Sequence, residues 1–267
     1  MTVTEAFRAD ACEGHLTLAG YLPAGYPDEK QFVAAVGELS SAGFRVLEVG
    51  IPPLQKGLDG PIIEGAVSLV QQRGMDSYAA VALGGAAAAR HGLAAVGMLY
   101  SASLQEVGLS TCLGLFQENG IHAILVPDMS VSNWKEFAQE SCSRGIEPVG
   151  FVSPEADEAL VRSVASHARG FLYVPSYAGR TGESFDAAGT LRKRLPGIIS
   201  VARQHSLAVA VGFGLRRRQD IEAVKHMGAQ GAVVGTALVE AAGKGQRVLH
   251  EFLLGIAGGQ EARSCRQ

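Results

Sequence analysis

The chain has 267 residues, 47% of them hydrophobic and 18% charged, with a formal net charge of −3 at pH 7. This much apolar material excludes a disordered chain. The mixed, slightly acidic charge excludes a nucleic-acid footprint, and the single basic run, Arg216, Arg217 and Arg218, reads as a solvated helix start.

Short apolar runs alternate with longer periodic segments along the chain. Leu16–Leu22 reads as a strand and Glu29–Ala42 as a helix, with Asp28 as its N-cap after Pro27. Val46–Ile51 is the second strand, followed by helical patterns at Ile62–Arg73 and Ser77–Arg90. Ala94–Leu99 is the third strand, Leu104–Asn119 its helix, Ala123–Val126 the fourth strand and Ser132–Arg144 its helix. Pro148–Val152 and Ala156–His167 form the fifth unit, and Gly170–Val174 and a helix within Ala188–His205 the sixth. Leu207–Val211 with a helix near Asp220–Met227, then Gly231–Val234 with Thr236–Leu254, complete the series. The strands are apolar throughout rather than alternating, as parallel strands buried on both faces are. Eight βα units without a composition break predict one (β/α)8 TIM barrel over residues 1–267, its core spanning about 16–254.

Barrel chemistry gathers at the C-terminal ends of the strands. The sixth strand leads into Ser176-Tyr177-Ala178-Gly179-Arg180-Thr181-Gly182, the seventh ends in Gly212-Phe213-Gly214, and the eighth in Gly235-Thr236. Glycines let backbone N–H groups approach an anion, and a helix N-terminus adds partial positive charge, so these loops form a candidate phosphate site. Each glycine alone is equally a tight turn. Glu48 lies within an apolar strand, where an isolated carboxylate is expensive unless it is paired or protonated, so it is either an acid/base group or a structural ion-pair acid. Asp59, in Gly57-Leu58-Asp59-Gly60-Pro61, either faces the same substrate or simply forms a turn. Asp128 follows the fourth strand and is also placed to cap the next helix. Tyr21, Tyr100 and Tyr173 fall at strand ends, suited equally to an aromatic pocket and to core packing.

The remaining signals are mostly exclusions. Cys12, Cys112, Cys142 and Cys265 form no C-x-x-C pair, and the seven histidines show neither ligand spacing nor triad order, so no metal is expected. The polar N-terminus is no signal peptide, and the longest apolar run, Ala79–Ala89, is too short to span a bilayer. A cytoplasmic protein without nucleic-acid or membrane partners is the expectation.

The motifs in combination resemble the tryptophan synthase α-subunit family. The matching runs are Gly20-Tyr21-Leu22-Pro23-Ala24-Gly25-Tyr26-Pro27, Leu47-Glu48-Val49-Gly50-Ile51-Pro52 followed by Leu58-Asp59-Gly60-Pro61, Gly179-Arg180-Thr181-Gly182, Gly212-Phe213-Gly214 and Gly235-Thr236. They stand in order between Leu16 and Leu254. The resemblance implies cleavage of indole-3-glycerol phosphate to indole and glyceraldehyde 3-phosphate, without metal or organic cofactor. It makes Glu48 the acid/base that protonates the indole ring carbon and then takes the side-chain hydroxyl proton. Asp59 would meet the indole N–H, Tyr173 would line the site, and Thr181 would close over it. Gly182, Gly214, Gly235 and Thr236 would hold the phosphate. Departures fall where the resemblance places the β-subunit contact: Pro53-Leu54-Gln55-Lys56 differs from the family loop, Ser101-Ala102-Ser103 after Tyr100 and Met129-Ser130 after Asp128 replace the usual residues, and Pro23 stands in place of the family threonine. The leading expectation is a lyase whose β-subunit contact is weakened or lost. The alternatives are an ordinary α-subunit with a divergent partner, a lyase on a related phosphorylated substrate, and a non-catalytic regulatory module.

Overall fold

In the computed structural model, residues 1–53, 59–176 and 189–257 are described. Among them the apolar runs pair as nine strands, all parallel: β1 (Thr17–Pro23), β2 (Val46–Gly50), β3 (Ala94–Met98), β4 (Ala123–Leu125), β5 (Glu147–Pro148), β6 (Gly150–Phe151), β7 (Phe171–Pro175), β8 (Ala208–Gly212) and β9 (Gly231–Val234). Their order is β5-β4-β3-β2-β1-β9-β8-β7-β6. The two end strands are neighbours in sequence, separated only by Val149. Pro148 pairs with Ile124 of β4, whereas Gly150 pairs with Leu172 of β7. The fifth strand expected from the sequence is therefore one run whose first half bonds one neighbour and whose second half bonds the other, which closes the sheet into a barrel of eight staves.

The helices between the strands are α2 (Glu29–Ser41), α3 (Pro61–Gln72), α4 (Ser77–Arg90), α5 (Ser101–Val107), α6 (Leu109–Glu118), α7 (Val131–Ser143), α8 (Glu158–Ala165), α9 (Thr190–Gln204) and α10 (Arg218–His226), with α11 (Thr236–Gly243) and α12 (Gln246–Ala257) after β9. Two segments expected as single helices are each divided at a glycine with a left-handed backbone. Gly108 (φ 85°) separates α5 from α6, and Gly245 (φ 97°) separates α11 from α12. That conformation ends a helix and suits glycine.

A further helix, α1 (Val3–Cys12), precedes the barrel in a stretch whose sequence reads as a polar terminus. Thr2 and Glu5 form a capping box at its start, and Val3, Ala6, Phe7 and Asp10 recur at helical spacing on its buried face. Phe7 stacks on Phe171 at the beginning of β7, with ring centroids 5.1 Å apart. A Cβ at Gly231, the first residue of β9, would lie 2.7 Å from the Phe7 ring. The helix therefore plugs the N-terminal end of the barrel, leaving the other end for the site.

Alternation along the strands decides which side chains enter that site. A Cβ on Gly84 of α4 would strike Val49, so Val49 faces the helix layer and Glu48 faces the interior. A Cβ on Gly20 would strike Leu39 and Leu238 of the helix layer, which turns Tyr21 inward. Among the described residues no helix is long and apolar enough to cross a membrane.

Candidate active site

A cavity of about 180 Å³ opens at the C-terminal end of the barrel, and Glu48, Asp59, Tyr21, Tyr100, Tyr173, Gly235 and Thr236 all line it. Glu48 reaches it from the middle of β2 and is 5% exposed. Among the described residues no group donates a hydrogen bond to its carboxyl. Burial first, and the nearby charge of Asp59 second, push its pKa up to about 8. The free protein thus holds a neutral carboxylic acid there at pH 7.

Asp59 is delivered by the start of α3. Gly60 is the N-cap and Pro61 the first helical residue, where proline's fixed φ is already helical. The helix therefore begins immediately after Asp59, and its positive end favours a carboxylate at that position. The side chain is buried and accepts a 2.9 Å hydrogen bond from the Tyr100 hydroxyl. Burial and the charge of Asp59 hold Tyr100 well above the ordinary phenol range, so it remains a donor.

Asp128 also lines the cavity, and its oxygens accept from Ser101 N at 2.8 Å and Ser101 Oγ at 2.6 Å. From sequence, capping of the following helix is one alternative for Asp128. Instead it satisfies the first turn of α5, on the neighbouring βα unit, while Ser130 occupies the N-cap of α7. A reach between adjacent units has no local sequence signature.

The opposite wall is aromatic. Tyr173 packs against Phe151 at 5.4 Å and edge-on against Phe213 at 5.8 Å. Phe151, Phe213, Met98, Leu125, Ile63, Pro127 and Val233 complete the apolar lining, and sequence reasoning assigns none of them to the site. The signal that could find Phe151 and Met98 is their inward position near strand ends. Ser176 donates from N to Gly212 O and from Oγ to Phe213 O, both at 2.8 Å, and so fixes the turn that presents Phe213.

Gly235 is the N-cap of α11 with no side-chain cap bond, and Thr236 is its first residue. The cavity wall therefore includes a helix start, whose first N–H groups lack intrahelical partners. Gly214 does not line this cavity. It borders a separate depression with Arg216, Arg217 and Asp220, while its neighbour Phe213 faces inward. Thr181, Gly182 and Gln55 lie outside the described residues.

The cavity thus offers an apolar, aromatic-lined space, a neutral acid, a hydrogen-bonded carboxylate and a helix N-terminus with free N–H groups. A planar aromatic substrate with a phosphorylated tail fits that chemistry. A family model described as tryptophan synthase alpha chain matches residues 7–253. The chain belongs to the tryptophan synthase alpha chain family. This is a family of lyases acting on indole-3-glycerol phosphate. The tryptophan synthase alpha chain of Mycobacterium marinum is 30% identical over 261 residues, covering 96% of this chain and 94% of that one. The Thermobifida fusca alpha chain is 30% identical over 242 residues, covering 90% and 88%. Among solved structures, Mycobacterium tuberculosis tryptophan synthase aligns with a TM-score of 0.85 at 26% identity, covering 96% of this chain and 97% of that chain. The tryptophan synthase a2b2 complex of Pyrococcus furiosus gives 0.81 at 26% identity, covering 91% and 98%.

Proposed function

We propose that this chain cleaves indole-3-glycerol phosphate to indole and glyceraldehyde 3-phosphate, and does so without a β-subunit. The observation that carries the reaction is a neutral, buried Glu48 sharing one apolar cavity with the Asp59–Tyr100 pair. The phosphate is held at Gly235 and Thr236; the roles that the resemblance gives Thr181 and Gly182 lie outside the described residues, and Gly214 stands away from this cavity. The indole ring enters the slot beside Tyr173. Glu48 gives its proton to the ring carbon bearing the glycerol chain, and Asp59 stabilises the positive charge that develops at the ring N–H. The Glu48 carboxylate then takes the proton of the adjacent side-chain hydroxyl. As the carbon–carbon bond breaks, its electron pair returns to the ring, releasing indole and the aldehyde. Anchoring the phosphate fixes the reacting carbon against Glu48, which removes most of the orientational cost.

Independence from a partner rests on the contacts that this chain makes for itself. The Ser103 hydroxyl donates to Pro53 O at 2.5 Å, and Tyr100 holds Asp59. The segment after β3 is therefore bonded internally to both edges of the loop after β2. In an assembly, that fixing is a service a partner could supply. Gln55, Ser103 and Ser130 also replace the family residues expected to receive the partner's signal. The test is indole release by the isolated protein, with and without a tryptophan synthase β-subunit. Added β-subunit should change the rate less than about threefold, under about 1 kcal/mol. Activation of tenfold or more, or a tight complex, refutes independence and favours an ordinary α-subunit, the reading that the similarity to the Pyrococcus furiosus a2b2 complex supports.

A further inference from the structure

Asp128 lines the cavity but has no part in these proton transfers. What it does hold is the residue next to Tyr100. Tyr100 is the N-cap of α5, yet its side chain makes no cap bond, and its hydroxyl is committed to Asp59. The first N–H groups of a helix then need an acceptor from elsewhere. Asp128 supplies it from the neighbouring stave: Ser101 N donates to Oδ1 at 2.8 Å and Ser101 Oγ to Oδ2 at 2.6 Å. Just before Tyr100, Leu99 N donates to Leu125 O at 3.2 Å. The backbone on both sides of Tyr100 is therefore bonded to the end of β4 and the residues that follow it. After burial and Asp59, the charge of Asp128 also helps to keep the Tyr100 hydroxyl protonated, so Asp128 stands near that end of the side chain as well.

Two bonds from one residue to one carboxylate fix orientation as well as distance, and bonds to a charged acceptor are the stronger kind. A tyrosine hydroxyl lies at the far end of a stiff ring, so a small rotation of the backbone displaces it by much more. We propose that Asp128 is a positioning residue for the lyase reaction: by clasping Ser101 at the start of α5 it sets the backbone of Tyr100, and Tyr100 in turn sets the carboxylate of Asp59. This rests on the lyase reading above, in which Asp59 meets the indole N–H. The charge at the ring nitrogen grows toward the transition state, and a group misplaced by about 1 Å can cost about 10²-fold in rate. A helix cap with no further role would stabilise α5 and leave turnover alone. A carboxylate acting directly by its charge would lose its effect whenever the charge is removed. Kinetics separates the three roles.

The experiment measures kcat and KM on indole-3-glycerol phosphate for Asp128→Ala and Asp128→Asn, each with Tyr100 intact and in a Tyr100→Phe background. Asp128→Ala removes both bonds and should lower kcat about tenfold or more. Asp128→Asn keeps an oxygen for Ser101 N and offers its amide to Ser101 Oγ, so kcat should stay within about threefold of wild type although the charge is gone. In Tyr100→Phe the link to Asp59 is already broken, and adding Asp128→Ala should cost less than about twofold more. An unchanged kcat in Asp128→Ala, equal losses in the Ala and Asn variants, or the same loss with and without the Tyr100 hydroxyl each overturns the proposal. If Asp128→Ala does not fold, Ser101→Ala takes its place: a fall in kcat that Tyr100→Phe abolishes supports the assignment, and no fall overturns it. If wild type does not cleave the substrate, the lyase reading fails separately. Calorimetric binding of indole and 1-methylindole, which lacks the N–H, then decides the role of Asp128. A preference for indole that the Ala variant loses and the Asn variant keeps supports the assignment, and the same preference in all three proteins, or none, overturns it.

Discussion

Replacing Glu48 by glutamine separates the energetic signature of the acid from its chemistry. The folded protein holds the carboxyl near 8 whereas the ordinary value is 4.5, so between these values the folded state binds a proton that the unfolded chain has released. Stability then falls as pH rises, by about 1.4 kcal/mol for each pH unit across that window. The whole displacement amounts to about 5 kcal/mol above pH 8, and water entering the cavity would make it smaller. The Glu48→Gln side chain keeps the shape and has no proton to lose. The expected result in denaturant unfolding is therefore two curves of stability against pH that coincide near pH 4.5 and diverge steadily, with the variant several kcal/mol more stable at pH 8. Parallel curves across this range would refute the claim that Glu48 is held neutral by its surroundings. The same substitution should cost turnover about 10²–10⁴-fold, since it removes the proton donor. In wild type the protonated form starts the reaction, so kcat/KM should fall as pH rises through about 8.

Asp59→Asn should lower kcat on indole-3-glycerol phosphate by about 10²-fold or more through loss of charge at the ring nitrogen, while its amide oxygen still accepts from Tyr100 and the melting temperature stays near wild type. Gly235→Asp should weaken binding of glycerol phosphate in calorimetry, because a carboxylate then faces the anion at the start of α11. The nearest atoms to the new Cβ are ordinary contacts at 3.8 and 3.9 Å on Tyr21, so circular dichroism should show an unchanged fold. Gly212→Ala sets a methyl 2.0 Å from the Tyr173 hydroxyl. Overpacking of this kind costs about 1–3 kcal/mol in denaturant unfolding, together with a fall in kcat/KM as the aromatic wall shifts.

Much of the barrel is legible in the sequence because parallel strands buried on both faces are apolar without interruption, and glycines mark where they end. The boundaries that differ are set by features outside that pattern. Gly108 and Gly245 end helices through backbone conformation, while the apolar period runs on through both positions. α1 escapes the pattern because only one face is buried, although Thr2 and Glu5 carry a capping signal. The two carboxylates stand out from sequence because charge in an apolar strand, and Asp before Gly-Pro, are both conspicuous. The aromatic wall does not stand out, since Phe151 and Phe213 look like core residues until closure of the barrel turns them toward a common space. Asp128 is ambiguous for a related reason, because its partner Ser101 belongs to the preceding unit and only the pairing of β3 with β4 brings the two together.

The two cavity tyrosines of β1 and β7 show how the barrel makes room for a site within a close-packed interior. Each begins a Tyr-x-Pro run, Tyr21-Leu22-Pro23 and Tyr173-Val174-Pro175, and each run ends its strand. In register, Pro23 pairs with Gly50 and Pro175 with Gly212. Each ring leans along its strand until its hydroxyl occupies the space where a Cβ on that glycine would stand, 2.5 Å away for Tyr21 and 2.0 Å for Tyr173. One local arrangement thus appears twice, on strands separated by β9 and β8. It sets two buried tyrosines in the wall of the cavity. The glycine is needed because interiors packed like crystals have no spare volume for both a phenol tip and a methyl. The proline is compatible because it lacks only its own N–H, and the next residue donates instead, Ala24 N to Gly50 O at 3.0 Å and Ser176 N to Gly212 O at 2.8 Å. Either feature alone reads as an ordinary strand terminus. Their pairing across neighbouring strands is what identifies a site, and it becomes visible only once the register is known.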